Sequence, residues 1–338
     1  MRFFSWLRKG NPSQAPARGR RPGAPRKRPT FRPRLEALEG RDVPSTLTAT
    51  NTLDSGHGSL RYEIAQAEKS NGKDMVVFNI PKSDPGYNAS TGAWTIKLTS
   101  GELDITGGLN IQGPGAGLLT VSGGYSSRVF EVEPNVTVAL SGLTISNGNG
   151  AFSSGYPHPE DFDGGGILNL GTLRINGCTV SNNQTGFDTW TVRPGGGICN
   201  FGTLALSGCT VSGNRSSGGT GAPGGGIYNG GSLTLSSCMV SGNSAGGGGG
   251  IYNGGTLTLS GCMVSGNSAG SNYLGGGICN AGALTVSSST FHDNSAYEGG
   301  GISNVGAGTL TVSTSTFYGN YPDNVYGAYT DGGGNSLS

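Results

Sequence analysis

Cysteines, carboxylates and asparagines are the side chains with which this chain could do chemistry, and their spacing limits what each can do. Six cysteines are present, and four of them (Cys178, Cys209, Cys238 and Cys262) recur at intervals of 31, 29 and 24 residues. Ser289 and Ser315 take the next two equivalent places. Recurrent thiols can form disulfides, ligate a metal or fill a core. Stacked on neighbouring parallel strands, their Cβ atoms would lie about 4.8 Å apart, beyond the ~3.8 Å usual for a disulfide. That spacing predicts a reduced, inward-facing ladder, with disulfide or metal as the alternatives. Cys199 and Cys279 share a second position but are separated by Tyr228 and Tyr252, so they are not expected to pair.

Carboxylates offer less. Glycoside hydrolysis needs two paired carboxyl groups, and a calcium-assisted lyase needs clustered carboxylates with an Arg or Lys base. From Gly164 to Asn320 the only acids are Asp188, Asp293 and Glu298 and the only basic residues Arg174, Arg193 and Arg215, without a shared repeat position. Glu160-Asp161-Phe162-Asp163 reads first as a solvated loop and second as a calcium site. His57, His158 and His292 lie far apart in sequence and suggest no site. These residues call for no catalytic group, cofactor or resident metal.

Asparagine is the most regular of the three. Asn169, Asn200, Asn229, Asn253, Asn280 and Asn304 occur once per unit of a repeat that begins Gly-Gly-Gly-Ile at residues 164, 195, 224, 248, 275 and 299. A buried amide is costly unless its donors and acceptor are satisfied. A column of asparagines can satisfy itself, each amide donating to the next, so these six are expected to form a structural ladder. A second series, Asn183, Asn214, Asn243, Asn267, Asn294 and Asn320, closes the third strand of each unit.

The elements that would hold these columns follow from the repeat. Each unit reads roughly Gly-Gly-Gly-Ile-x-Asn-x-Gly-x-Leu-x-Leu-Ser-x-Cys-x-Val-Ser-Gly-Asn, which gives three short strands with period-two alternation and three corners. Leu233 with Leu235, Val240 and Ile227 face inward on three walls, and their equivalents stack above and below. The fold class expected is all-β: a single-stranded right-handed parallel β-helix, a solenoid with a short N-terminal helix and strand cap. Six clear repeats occupy 164–320 within a solenoid from 93 to 338. Degenerate coils precede them, among them Leu103-Asp104-Ile105, Leu109-Asn110-Ile111 and Val129-Phe130-Glu131-Val132. Residues 46–92 are assigned to the cap. They hold a helix with Leu60, Ile64 and Ala67 on one face, Ser59 as N-cap, and a strand from Met75.

Composition sharpens the partner classes. Glycine reaches 66 of 338 residues, without the Gly-X-Y period of collagen. Residues 1–41 carry twelve Arg/Lys against two Glu, and the remainder nine against eighteen acids. Residues 1–45 are therefore read as a basic disordered leader, and the body has no electrostatic footprint for nucleic acid. No apolar run is long enough for a membrane-spanning helix. Partners of the body are expected to be a neutral glycan or a cell-envelope protein. Repeat length varies at a single corner, where Phe187, Trp190, Arg193, Arg215, Tyr273 and Tyr297 lie. Such an edge is either a binding edge or a row of tolerated surface loops. Outward threonines at 234, 258, 285 and 311 form an array of the type used to bind ice, although Arg174 and Ala205 interrupt it.

Two segments resemble known families. Gly-Gly-Gly-Ile together with Phe291-His292-Asp293-Asn294 and Phe317-Tyr318-Gly319-Asn320 resembles the repeats of polymorphic outer membrane proteins. Upstream, Gly58-Ser59-Leu60-Arg61-Tyr62-Glu63-Ile64-Ala65 is similar to the segment that precedes such repeats. Four of the six units carry Val in place of the Phe. Leu35-Glu36-Ala37-Leu38-Glu39-Gly40-Arg41-Asp42-Val43-Pro44-Ser45 resembles a motif at the start of planctomycete surface proteins and implies a sorting role. The resemblance implies a secreted or cell-surface β-helix, non-catalytic and serving adhesion or envelope structure. A polysaccharide lyase or glycoside hydrolase on the same fold is the alternative.

Overall fold

Thr, Ile, Leu and Val alternate with small polar residues along every strand, and the chain winds them into a right-handed parallel β-helix of about nine turns. The computed structural model describes residues 45–69, 74–150, 164–186, 192–217 and 221–338. Asp42–Ser338 forms one compact unit. Two eleven-stranded sheets and one nine-stranded sheet make up the walls, and strands pair in parallel with their equivalents one coil away, except Tyr87–Asn88, which pairs antiparallel with Ala93–Lys97 at the edge of the second sheet. The first sheet holds strands such as Ser232–Ser236, the second Met239–Ser241 and the third Ile227–Asn229.

Register places like over like. Ile198, Ile227, Ile251, Ile278 and Ile302 are successive partners, as are Leu204, Leu233 and Leu257, and Val211, Val240 and Val264. All these side chains are buried, and one continuous apolar core runs from Leu60 to Phe317. The larger Phe291 and Phe317 continue the valine column as a stacked pair with centroids 4.7 Å apart. The degenerate coils follow the same rule, with Leu103, Phe130 and Ile167 in register on the third sheet.

The cap is continuous with the solenoid. Thr46–Ala49 and Asp74–Phe78 are the first two strands of the first sheet, so the helix Leu60–Ala67 interrupts that sheet rather than preceding it. Ser59 Oγ accepts from the Tyr62 N–H at 3.2 Å and starts the helix, which buries Leu60, Ile64 and Ala67.

Both asparagine columns form. In the first, Nδ2 of each residue donates to Oδ1 of the next at 2.6–2.7 Å, from Asn169 through Asn304. The same amides also reach backbone carbonyls, as Asn253 does with Gly255 and Ala283. Asn169 Oδ1, at the start, has no partner because Val132 occupies the preceding register position. In the second column each Oδ1 from Asn214 to Asn320 accepts twice, from the side-chain amide and from the backbone N–H of the asparagine one coil earlier. The Gly148 N–H caps its start, at Asn183 Oδ1.

The triple glycine has a steric cause. Gly248 has φ +60°, and a Cβ there would sit 2.4 Å from the Ile251 carbonyl oxygen. At Gly249 it would meet the Ser268 carbonyl oxygen at 2.4 Å, and at Gly250 the Gly277 carbonyl oxygen at 2.5 Å. All three positions lie against backbone that the neighbouring coils hold fixed.

Three strands per unit is an undercount. After each second-column asparagine a short fourth ladder runs through Gln184, Arg215 and Ser244, with Ser244–Ala245 pairing Ser268–Ala269. Its two-residue strands are too short for alternation to reveal. The final coil adds Val325–Tyr326, Thr330–Asp331 and Ser336–Leu337 beyond the repeats. There Ala328 O, Asn324 Oδ1 and Asn335 Oδ1 take the last donors of the first asparagine, second asparagine and cysteine/serine columns.

Asn253→Ala should orphan one donor above and one acceptor below, and so destabilise the solenoid by about 2–4 kcal/mol. Asn304→Ala, at the end of the column, should cost clearly less. Urea denaturation of the two variants checks this, and equal losses would contradict a self-satisfying ladder.

Candidate functional site

The repeated cysteines lie where the first sheet turns into the second, and all six thiols are free. They do more than fill space. Sγ of Cys209, Cys238 and Cys262 each reaches the carbonyl oxygen two residues earlier at 3.3–3.4 Å. Backbone N–H groups of Cys209 and Cys238 point to the sulfur of the next coil at 3.4 and 3.5 Å. Ser289 and Ser315 repeat the pattern with tighter bonds of 2.8 Å, so the thiol acts here as a long hydroxyl. Cys199 and Cys279 are separated by the stacked rings of Tyr228 and Tyr252, in the order the sequence requires.

The variable edge divides. Phe187 and Trp190 lie outside the described residues, as does the acidic run 160–163. Arg193 is buried rather than exposed on an edge, and its carbonyl accepts from Thr185 and Ser216 at 2.8 and 2.7 Å. Its place in an insertion hid this, because nothing periodic in the sequence marks the contacts of Thr185 and Ser216 with its carbonyl. Tyr273 is half-buried, lying so close to Gly221 that a Cβ there would fall 2.4 Å from its ring. Arg215 and Tyr297 are exposed, and the Tyr297 N–H donates to the Tyr273 carbonyl at 2.8 Å. Beside them Leu274 bridges Glu298, whose carboxylate takes a hydrogen bond from the Tyr326 hydroxyl and holds that phenol above its ordinary range. Register puts Arg193, Tyr273 and Tyr297 in one column, each one residue before the equivalent positions Pro194, Leu274 and Glu298, with Arg193 its buried member and Arg215 in the adjacent fourth ladder.

A charged group missed from the sequence lies upstream, outside the third sheet. Arg128, 3% exposed, forms ion pairs with Glu131 and, at 3.2 Å, with Glu102, and its Nε donates to the Gly164 carbonyl at 3.2 Å. Asp104 and Glu131 are register partners on adjacent strands. Burial is the largest influence on Glu131 and outweighs the attraction of Arg128; Glu102, Glu133 and Asp104 add to the rise, which brings its carboxyl to about 7. Burial also raises Asp104 and Glu133. The signal was present in Leu103-Asp104-Ile105 and Phe130-Glu131-Val132, which align the two acids on the outer face. A carboxyl that is half protonated near neutrality, beside ionised neighbours, can give or take a proton.

Among the described residues no group of three or more His, Cys, Asp or Glu side chains converges as a metal cage, and no helix is long and apolar enough to cross a membrane. No family model and no curated protein matches the chain. Among solved structures it is similar to the catalytic unit of a thermostable GH87 alpha-1,3-glucanase from Streptomyces thermodiastaticus, at 15% identity and a TM-score of 0.32, covering 86% of this chain and 68% of that one. At that level the likeness bears on neither activity nor site.

The raised Glu131 pKa has a definite sign. The folded state binds this proton more tightly than the unfolded chain, so its stabilising contribution is full below about pH 4.5 and is lost as pH rises through about 7. The thermal midpoint should therefore fall between pH 5 and pH 8, and Glu131→Gln should remove roughly half of that slope or more. An unchanged slope in the variant would place the titration elsewhere.

Proposed function

We propose that this protein is a non-catalytic, exported β-helix scaffold serving adhesion or envelope structure, with a neutral glycan or an envelope protein as its partner. The observation that carries the reading is that no acidic or basic residue between Gly164 and Asn320 shares a repeat position with another, whereas outward hydroxyl side chains recur from coil to coil. On the first sheet, Thr256, Thr258 and Ser260 point outward, and Thr309, Thr311 and Ser313 repeat them two coils later. Irregularity gathers at one corner, where Arg215 and Tyr297 are exposed. A rigid rod of neutral hydroxyls with one variable edge suits recognition of an uncharged surface better than turnover of an ionic substrate. The N-terminal resemblance to a surface-sorting motif supports export.

Glu131 favours a second reading, a carbohydrate-active enzyme. Its register partner Asp104 stands one strand away on the same face, the pairing of carboxyl groups that glycoside hydrolysis needs. In that reading Glu131 is the acid and Asp104 the nucleophile.

Glycan-array and whole-envelope binding separate the two readings. Arg215→Ala with Tyr297→Ala should weaken binding about tenfold or more without loss of folding, in line with the weight that aromatic and arginine anchors carry in interfaces. Unchanged binding removes the edge as the site. Release of reducing ends from a neutral polysaccharide, abolished in Glu131→Gln, would replace the scaffold reading with the enzymatic one.

A further inference from the structure

We infer that the middle of the cysteine column is a binding site for a soft monovalent d10 cation, of which Cu(I) is the type. Three features of one corner lead to it. First, the sulfurs of Cys209, Cys238 and Cys262 follow one another along the column, the backbone N–H groups of Cys209 and Cys238 each pointing to the sulfur one coil on at 3.4 and 3.5 Å. Second, an open groove of about 390 Å³ runs over the same corner, lined by these three cysteines together with Met239 and Met263. Third, the two methionines are register partners on adjacent strands and are 41% and 40% exposed, so a pair of thioethers stands at the groove's wall.

The geometry selects the ion. The thiols do not converge on one point, as a tetrahedral site would require; they are strung in a line along the solenoid axis. Parallel stacking spaces them by about 4.8 Å, too far for a disulfide. Two metal–sulfur bonds of ~2.3 Å end to end span about 4.6 Å, so one ion in linear coordination fits between neighbouring sulfurs. Thiolate and thioether ligands both favour soft cations.

Charge balance is met by a monovalent ion with the loss of a single proton. The sulfurs lie 2–3% exposed at the edge of an apolar core, where an added net charge is costly. One Cu(I) replaces one thiol proton, which leaves to solvent. The pair becomes one thiolate and one neutral thiol bridged by the cation, and the net charge of the column stays at zero. A divalent ion would leave a positive charge in the core or require both protons to leave. The methionines supply neutral sulfur at the groove, where an incoming ion can rest before it reaches the thiols.

The test is anaerobic titration of the folded chain with Cu(I) against bathocuproine disulfonate, reading chelator absorbance and the ultraviolet thiolate-to-copper band. About one Cu(I) per chain should be withdrawn from the chelator, with Zn(II) failing to compete. Cys238→Ser removes the middle sulfur of the three and should weaken binding at least about tenfold. Serine already fills this position at 289 and 315, so the variant keeps a side chain that the corner accepts, and circular dichroism checks its fold. Cys199→Ser and Cys279→Ser, remote from the column, should bind as wild type does. Failure of the wild type to withdraw copper, or equal binding by folded Cys238→Ser, would overturn the assignment.

Discussion

Everything in this molecule depends on vertical register: each side chain stands over its own equivalent, one strand spacing away. A parallel ladder imposes that spacing on every column at once, so a residue is tolerated if it can stack on a copy of itself. Isoleucine, leucine and valine do so by dispersion and exclusion of water. Asparagine does so by hydrogen bonding, because its amide carries a donor at one end and an acceptor at the other. Cysteine and serine do so through the backbone, accepting one N–H and donating to one carbonyl. Glycine is required where the neighbour is backbone, as at Gly249, against which no side chain could stack.

The same constraint explains where the columns begin and end. The first asparagine column starts against Val132, leaving the acceptor of Asn169 unpaired, whereas the second is met by a backbone N–H from Gly148. At the other end, the columns pass their last donors to Ala328, Asn324 and Asn335 in a coil that carries almost none of the repeat's apolar residues. That coil is built from acceptors placed under a finished stack.

Much of this was legible in the sequence because register turns periodicity directly into position. The spacing of Gly-Gly-Gly-Ile marks six of the nine third-sheet strands, and the asparagines at 169 to 304 fall into one column by sequence spacing alone. What stayed hidden has no periodic signal. The fourth ladder is two residues long and shows no alternation. The burial of Arg193 within the edge column has no sequence signal, since it comes with contacts of its carbonyl to Thr185 and Ser216 that do not repeat. The Arg128 cluster lies in degenerate coils where the repeat is too faded to draw attention to Asp104 and Glu131. The proposed surface role rests on the resemblance to outer membrane protein repeats, because column geometry does not specify one. Legibility was therefore high for the core and low for the chemistry, because the core repeats and the ionisable groups do not.

The central claim is the register itself, and pulsed electron paramagnetic resonance measures it directly. Spin labels on one outer column of the first sheet, with Thr137 held constant and the second label at Thr256, Ala283 or Thr309, span four, five and six strand steps. The account predicts separations of about 19, 24 and 29 Å, rising by one strand spacing per coil. Unequal increments, or a separation that fails to grow from one coil to the next, would contradict it.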